Sequence, residues 1–510
     1  MKLDFARNVK RNIVANGISS MTRLVFPFLN RTLFLWLLGP EYLGLNGLFG
    51  SILGVLMLAE LGFGKAVVCS MYELVAKDDR VLLCSYLKFY RTVYRWVGVV
   101  IFAAGLCLLP FLGRLVHGNV PPDVDLHILY LIHLVNTSAS YFLFAYRGVT
   151  LGAYHRNDVV TNIGTAISFI QYVATFAILA ITRNYYYYIV STVFFTLLQN
   201  ILLVKASRRL FPEIEPRGDI PEAHRRKLLS DVKSIFMHKI GGVVLNSADN
   251  LVISASLGLV AVAAYGNYYY VITAVGGIVA SVYSSMTGGF GNKIYTETKE
   301  TNFAVFMKMN RLTMIIVAWC AAMVMALYQP FIAIWSRNDP SLVRHILTPV
   351  LMTLFFFVMQ SRQTLLMFKA AAGLWKQDRW KPIISAAVNL SLNIALINLL
   401  PRGYKLDGVI FSTIAALVSI EMPWESHVVF ADFFGKTEAR RYWLSQALFA
   451  ASTLAFCAVA WAAVRLVGYD GFAGLAAKAA VAAVVSTTLV VAVYRRDALA
   501  ILHKLTGKAR

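Results

Sequence analysis

The chain has 510 residues, 58% of them hydrophobic, with a mean hydropathy of +0.63 and a formal net charge of +22. Soluble domains are only about 45–50% apolar and single cores stop growing at roughly 250–300 residues, so this composition excludes a water-soluble globular protein and makes lipid the solvent. A soluble chain this basic would point to nucleic acid, but here Lys and Arg sit mainly between apolar runs, so the charge reads as a topology signal and no nucleic-acid partner is expected.

The N-terminus, MKLDFARNVKRN, is basic, and no short apolar stretch with a small-residue cleavage site follows it, so no cleaved leader is expected. A spanning helix needs about 20 mostly apolar residues, and about fourteen segments meet that rule. The first, 13–38, carries Asn16, Ser20, Arg23, Pro27 and Asn30 on one helical face, with Arg31 at its edge. Arg23 lies too deep to snorkel comfortably, so the face reads as cavity-lining. The second segment, 44–71, is Gly-rich and ends LAELGFGKAV, where Glu60 and Lys65 are close enough to pair with each other or with the first helix. Segments 93–113, 126–148, 158–181 and 185–204 complete a first set of six, and Arg147 at the inner end of 126–148 fits a positive-inside role. The largest inner loop, KASRRLFPEIEPRGDIPEAHRRKLLSDVK, follows, whereas the external loop GPEYLG has no Lys or Arg.

The second set of six starts with 234–257, which carries His238, Lys239, Asn246, Asp249 and Asn250. Segment 260–286 contains Gly266 to Tyr270, GNYYY, whose rings and amide suit either sugar contact or an interfacial belt. Segments 312–335 and 345–368 follow, the latter with Gln360, Arg362 and Gln363, and Lys369 just beyond. Then come 381–400 and 407–431. Glu421 and Glu425 in the latter are either cavity acids or inner-interface residues. The last two segments, 442–466 and 471–494, are Ala-rich and plain.

A weak internal repeat joins the two sets. Leu38, Gly39 and Gly47 fall on Leu257, Gly258 and Gly266 at an offset of 219 (258 minus 39), and Gly152 and Ile189 fall on Gly373 and Ile410 at 221 (373 minus 152). Copies with an even number of spans face the same way. The expected fold is therefore all-α: a polytopic membrane protein of about fourteen helices, in two six-helix lobes in parallel pseudo-two-fold arrangement plus a C-terminal pair. The expected domains are an N-terminal lobe at 1–206, a cytoplasmic linker at 207–233, a second lobe at 234–434, and a terminal helix pair and tail at 435–510.

The deep cations, Arg23, Arg31, Lys65, Lys239 and Arg362, outnumber the deep acids, Glu60 and Asp249. Excess positive charge suits an anionic cargo. No P-loop, GxSxG or HExxH motif is present, and the external loops are too short for a catalytic domain, so no enzyme activity is expected. Five scattered cysteines without ligand spacing give no metal site, cofactor or disulfide framework.

The runs ARNVKRNIVANGISS, GPEYLGLNGLFGSILGVLMLAELGFGKAV, SMYELVAKDD and LLCSYLKFYRTVYR resemble the polysaccharide flippases (Wzx-like, polysaccharide transporter family) of the multidrug/oligosaccharidyl-lipid/polysaccharide exporter superfamily. The likeness is sharp over about the first hundred residues and elsewhere lies in the layout. It implies alternating-access transport of an undecaprenyl-pyrophosphate-linked oligosaccharide across the bacterial inner membrane, with both termini cytoplasmic and a polysaccharide polymerase or other assembly proteins as partners. It carries the family's cavity cations to Arg23 and Arg31, then to Lys65, Lys239 and Arg362, with Asn30 on the same face. Asp249 takes the place of Asn30 in the second copy, where it is either an ion-coupling group, as Glu60 could be, or a counter-charge. A multidrug exporter of the same fold would need an acidic cavity, and a membrane polymerase or ligase a long external loop.

Overall fold

A computed structural model describes residues 22, 25–60, 63–118, 120–142, 145–374 and 377–495. Among them all regular structure is helical, the form in which a single segment satisfies its own backbone groups in lipid. The chain runs through α1 (Val25–Leu37), α2 (Pro40–Leu56), α3 (Phe63–Ala76), α4 (Arg80–Leu108), the one-turn α5 (Leu112–Leu115), α6 (Leu126–Phe142), α7 (Gly148–Ala153), α8 (Asn157–Thr182) and α9 (Tyr185–Leu210). It continues through α10 (Glu222–Leu257), α11 (Leu259–Thr296), α12 (Lys299–Trp335), α13 (Leu347–Ser361), α14 (Gln363–Ala371), α15 (Lys381–Leu399), α16 (Lys405–Ala416), α17 (Met422–Val429), α18 (Lys436–Arg465) and α19 (Gly471–Val493).

Ten helical stretches among the described residues are long and apolar enough to cross a membrane, and they coincide with ten of the expected segments. The other four expected segments differ in instructive ways. Segment 13–38 begins outside the described residues. Segment 44–71 is interrupted by a 3-10 turn at Met57–Glu60, and 126–148 by another at Ala145–Arg147. Segment 234–257 is the second part of α10, which starts at Glu222, inside the stretch expected to be a linker. Pro221 opens that helix, and EAHRRKLLSDVK contains no breaker.

The repeat is visible in the turns. Gly39 (φ 114) and Gly258 (φ 88) both end a helix in the left-handed region, 219 residues apart (258 minus 39). A side chain at Gly258 would put its Cβ 2.6 Å from the His117 carbonyl oxygen, so only glycine fits there. Asp79 caps α4 through the Leu82 N–H (3.0 Å), and 219 residues later Thr298 caps α12 through the Thr301 N–H (3.3 Å). Leu126 and Leu347, which open α6 and α13, are 221 apart (347 minus 126), so two residues enter the second copy between these marks.

The chain packs into two compact units, one ending at Val262 and the other starting at Ala263. The packed division thus keeps α10 with the first unit, although the repeat assigns 234–257 to the second copy. Asn250 of α10 donates to Ser51 Oγ of α2 (2.8 Å), and Ser254 donates to the Leu115 carbonyl (2.7 Å). In the second unit α12 carries α18 and α19, through Gln446 to Asn310 (3.0 Å) and Trp319 to Thr487 (3.1 Å). Large apolar side chains stand exposed along α8 (Phe169, Ile170, Val173, Phe176) and α18 (Leu444, Leu448, Leu454), as lipid contact requires.

Candidate functional site

Arg23 lies outside the described residues. Arg31 is half-buried on α1. Asn30 is engaged with the neighbouring helices: its amide donates to the Tyr188 hydroxyl of α9 (3.0 Å), and its oxygen accepts from Thr175 of α8 (3.4 Å). Phe34, one turn on, meets Tyr185 and Tyr188 edge-on at 5.1 and 5.0 Å between ring centroids. This face of α1 is therefore a polar and aromatic seam against α8 and α9.

Glu60 sits at the end of the turn after α2, and that turn directs it toward α4 and α6. Its carboxylate accepts from the hydroxyls of Tyr94 and Tyr141, the latter at 2.6 Å. Tyr90 packs against Tyr94 at 4.3 Å between ring centroids with the rings tilted by 47°, and Gly64 gives Tyr90 room, since a Cβ there would lie 2.9 Å from its hydroxyl. Glu60, expected to pair with Lys65 or with the first helix, thus has tyrosines around its carboxylate. Lys65 and Lys239 lie in α3 and α10, and their side chains are outside the described set. Asp249 is 3% exposed on α10, beside Asn250.

Among the described residues the largest charged constellation is in the second unit, where three chain breaks converge. Arg362 lies between α13 and α14, Asp378 and Lys381 lead into α15, and Glu421 ends a π-helical turn, Leu417–Glu421, before α17. Pro423 has no N–H to give to the Ser419 carbonyl, and the wide turn absorbs that loss. Arg362 binds Glu425 (Nε to Oε2 3.0 Å) and Glu421; Lys381 binds Glu425 and lies 3.7 Å from both Asp378 and Glu421; Lys369 binds Asp378. Among the described residues three cations meet three carboxylates, and all six side chains are buried. This departs from the expectation that Arg362 presents a positive charge to a ligand, because its guanidinium is neutralised by two glutamates. A buried cation is stable when an acid meets it, and Glu421 and Glu425 place acids at Arg362.

Two polar sites went unread in the sequence, and a third, at Arg147, was read only for its positive-inside role. Arg147, fully buried, donates to the Ile214 carbonyl (2.8 Å) and pairs with Glu215, pinning the segment after α9 to the first unit. Tyr86 to His224 (2.9 Å) and Lys88 to Asp219 (2.9 Å) fasten the same segment. In the adjoining α3–α4 loop, Arg80 donates to Asp78 (3.2 Å) and holds its carboxyl below the ordinary range. Between α15 and α16, Asn389 donates to Thr413 (3.0 Å) and Asn393 to Asn389 (3.3 Å); the four-residue spacing of the two asparagines was the available signal. Near the start of α16, Asp407 accepts from Thr348 (2.6 Å) and lies 2.9 Å from His345 Nε2. Among the described residues no three His, Cys, Asp or Glu side chains converge as metal ligands.

No protein-family model and no curated protein sequence matches the chain. Among solved structures it is similar to the lipid II flippase MurJ in its inward closed conformation, at TM-score 0.63 and 13% identity, over 95% of this chain and 98% of that one. It is also similar to an inward-facing multidrug resistance MATE family transporter of the MOP superfamily, at TM-score 0.57 and 15% identity, over 82% of this chain and 98% of that one. Likeness at these identities shows a shared fold.

Proposed function

We propose that the chain is a flippase that moves a lipid-linked, anionic substrate across the membrane by alternating access, without covalent chemistry. The extent of the fold likeness carries this reading. The match to the lipid II flippase covers 95% of the chain, too much to omit α18 and α19, whereas the match to the MATE transporter covers 82%. The substrate is an undecaprenyl-pyrophosphate-linked oligosaccharide for surface polysaccharide export, and the setting is a bacterial cytoplasmic membrane with both termini inside. A polysaccharide polymerase receives the product.

In this scheme Arg23 and Arg31 bind the pyrophosphate, with Lys65 and Lys239 adding positive charge. Asn30 positions α1 against α8 and α9. Arg362 holds its helix junction through its ion pairs with Glu421 and Glu425. Glu60 and Asp249 are the acids available for ion coupling. A second reading, an exporter of organic cations, is favoured by the MATE likeness and by the same two acids.

One pair of assays in proteoliposomes separates these readings. The chain is expected to flip undecaprenyl-pyrophosphate oligosaccharide and to leave ethidium untransported. Lysine keeps the charge of Arg23 but loses its planar fork, so Arg23→Lys should slow flipping partly, and Arg23→Ala by roughly ten- to a hundredfold, as expected for lost hydrogen bonds to a charged group. Normal flipping by Arg23→Ala at normal abundance would remove Arg23 from the site. Ethidium transport without lipid flipping would establish the exporter.

A further inference from the structure

In the first unit, a groove of about 290 Å³ opens between α8, α9 and Thr22, near the small end of ligand pockets (roughly 300–1,000 Å³). Its polar lining is Thr22, Thr161, Thr165, Ser168, Tyr172 and Gln199, and its described lining carries no charged side chain. Another cavity of the same unit, between α6 and α9, is wholly apolar by contrast.

The groove residues of α8 recur at intervals of four, three and four, which puts Thr161, Thr165, Ser168 and Tyr172 on one face. Phe169, Ile170, Val173 and Phe176 are exposed elsewhere around the helix. Hydroxyls in apolar helices are usually satisfied by folding back onto a carbonyl three or four residues earlier. Thr175 does so onto Gln171 (2.8 Å), Thr182 onto Ile178 (2.7 Å), Ser191 onto Tyr188 (2.7 Å) and Thr196 onto Thr192 (2.9 Å). Among the described residues Thr161, Thr165 and Ser168 make no such bond, and Thr165 Oγ1 is buried without a partner. Three hydroxyls are thus left for something that enters the groove. The Gln199 amide supplies both a donor and an acceptor, and Tyr172, backed by Phe26 at 5.8 Å in a near-parallel stack, supplies a ring. Among the described lining residues no cation answers a phosphate and no acid answers an organic cation. Neutral donors and acceptors beside an aromatic ring match the hydroxyls and apolar face of a sugar.

We infer that this groove is a sugar subsite that takes an uncharged pyranose ring of the lipid-linked oligosaccharide, separate from the cations assigned to the pyrophosphate. The inference rests on the flippase reading above. Thr22, which lines the groove, is the chain neighbour of Arg23, so sugar and phosphate contacts meet on the first helix.

The test compares two ligands on the full chain in lipid nanodiscs: bare undecaprenyl diphosphate, and undecaprenyl-diphosphate-linked oligosaccharide isolated from the host strain. The wild type should bind the glycosylated lipid more tightly. Thr165→Val combined with Ser168→Ala should reduce that preference by about tenfold (about 1.4 kcal/mol) and leave affinity for the bare lipid unchanged, which also shows that the variant is folded. Thr165→Ser keeps the hydroxyl and should retain the preference better than Thr165→Val alone. Retention of the full preference by the double variant overturns the inference, as does an equal loss for both ligands, or equal behaviour of Thr165→Ser and Thr165→Val. A wild type that binds neither ligand overturns the flippase reading itself, and a wild type that binds both equally overturns only the subsite.

Discussion

At Arg362 a guanidinium deep in a span meets Glu421 and Glu425, while Lys381 and Lys369 complete the charge balance with Asp378. Removing one member of such a set leaves a buried charge uncompensated, which costs about 3–5 kcal/mol. Arg362→Ala should therefore lower the melting temperature of the purified protein and its membrane abundance. Arg362→Met with Glu421→Met removes one charge of each sign and should recover most of the loss; a double variant no more stable than Arg362→Ala would show that the network is not what holds this junction. The sequence singled out Arg362, Glu421 and Glu425, but 59 and 63 residues separate the arginine from its acids, so their meeting was not legible. Glu60 is a second case of partners far away in the chain. Its closeness in sequence to Lys65 and to the first helix suggested partners there, and the turn at Met57–Glu60 also brings its carboxylate to Tyr94 and Tyr141, 34 and 81 residues away, which no spacing rule reveals.

Helix ends carry the repeat more clearly than helix interiors. Asp79 and Thr298 occupy matching N-caps, each bonding the N–H three residues on. Asp79→Ala and Thr298→Ala should each cost about 1 kcal/mol, and the double variant should show the sum, since the two caps share no partner. Chemical denaturation of the detergent-solubilised chain would measure this, and a cap whose loss costs nothing would show that its helix start is fixed by packing alone. The long apolar runs were legible because lipid demands about 20 such residues in succession. The interruptions were not. A hydropathy pattern passes straight through Arg362 and through Leu417–Glu421, where the break depends on a buried ion network and on Pro423 rather than on any loss of apolar character. The early start of α10 was equally hidden, because the polar stretch after Pro221 reads as a loop until its helix is seen.

For the molecule as a whole, the Lys and Arg asymmetry sets the proposed orientation. In a chain with its five cysteines replaced, Pro122→Cys should react with an impermeant thiol reagent added outside intact cells, and Arg217→Cys only after permeabilisation; both positions are exposed. The reverse pattern would invert the topology. The all-helical fold was legible from composition and period, since apolar length leaves the chain few other forms. The packed division was not, because it follows contacts and not copies. α10 is the counterpart of the first helix by the Gly39 and Gly258 turns, yet it packs with the unit that ends at Val262, and the packed boundary falls within α11. The stretch marked out by the repeat and the stretch that folds together are therefore different stretches. A gene severed at the repeat would strip the first fragment of the helix that meets Ser51 and Leu115.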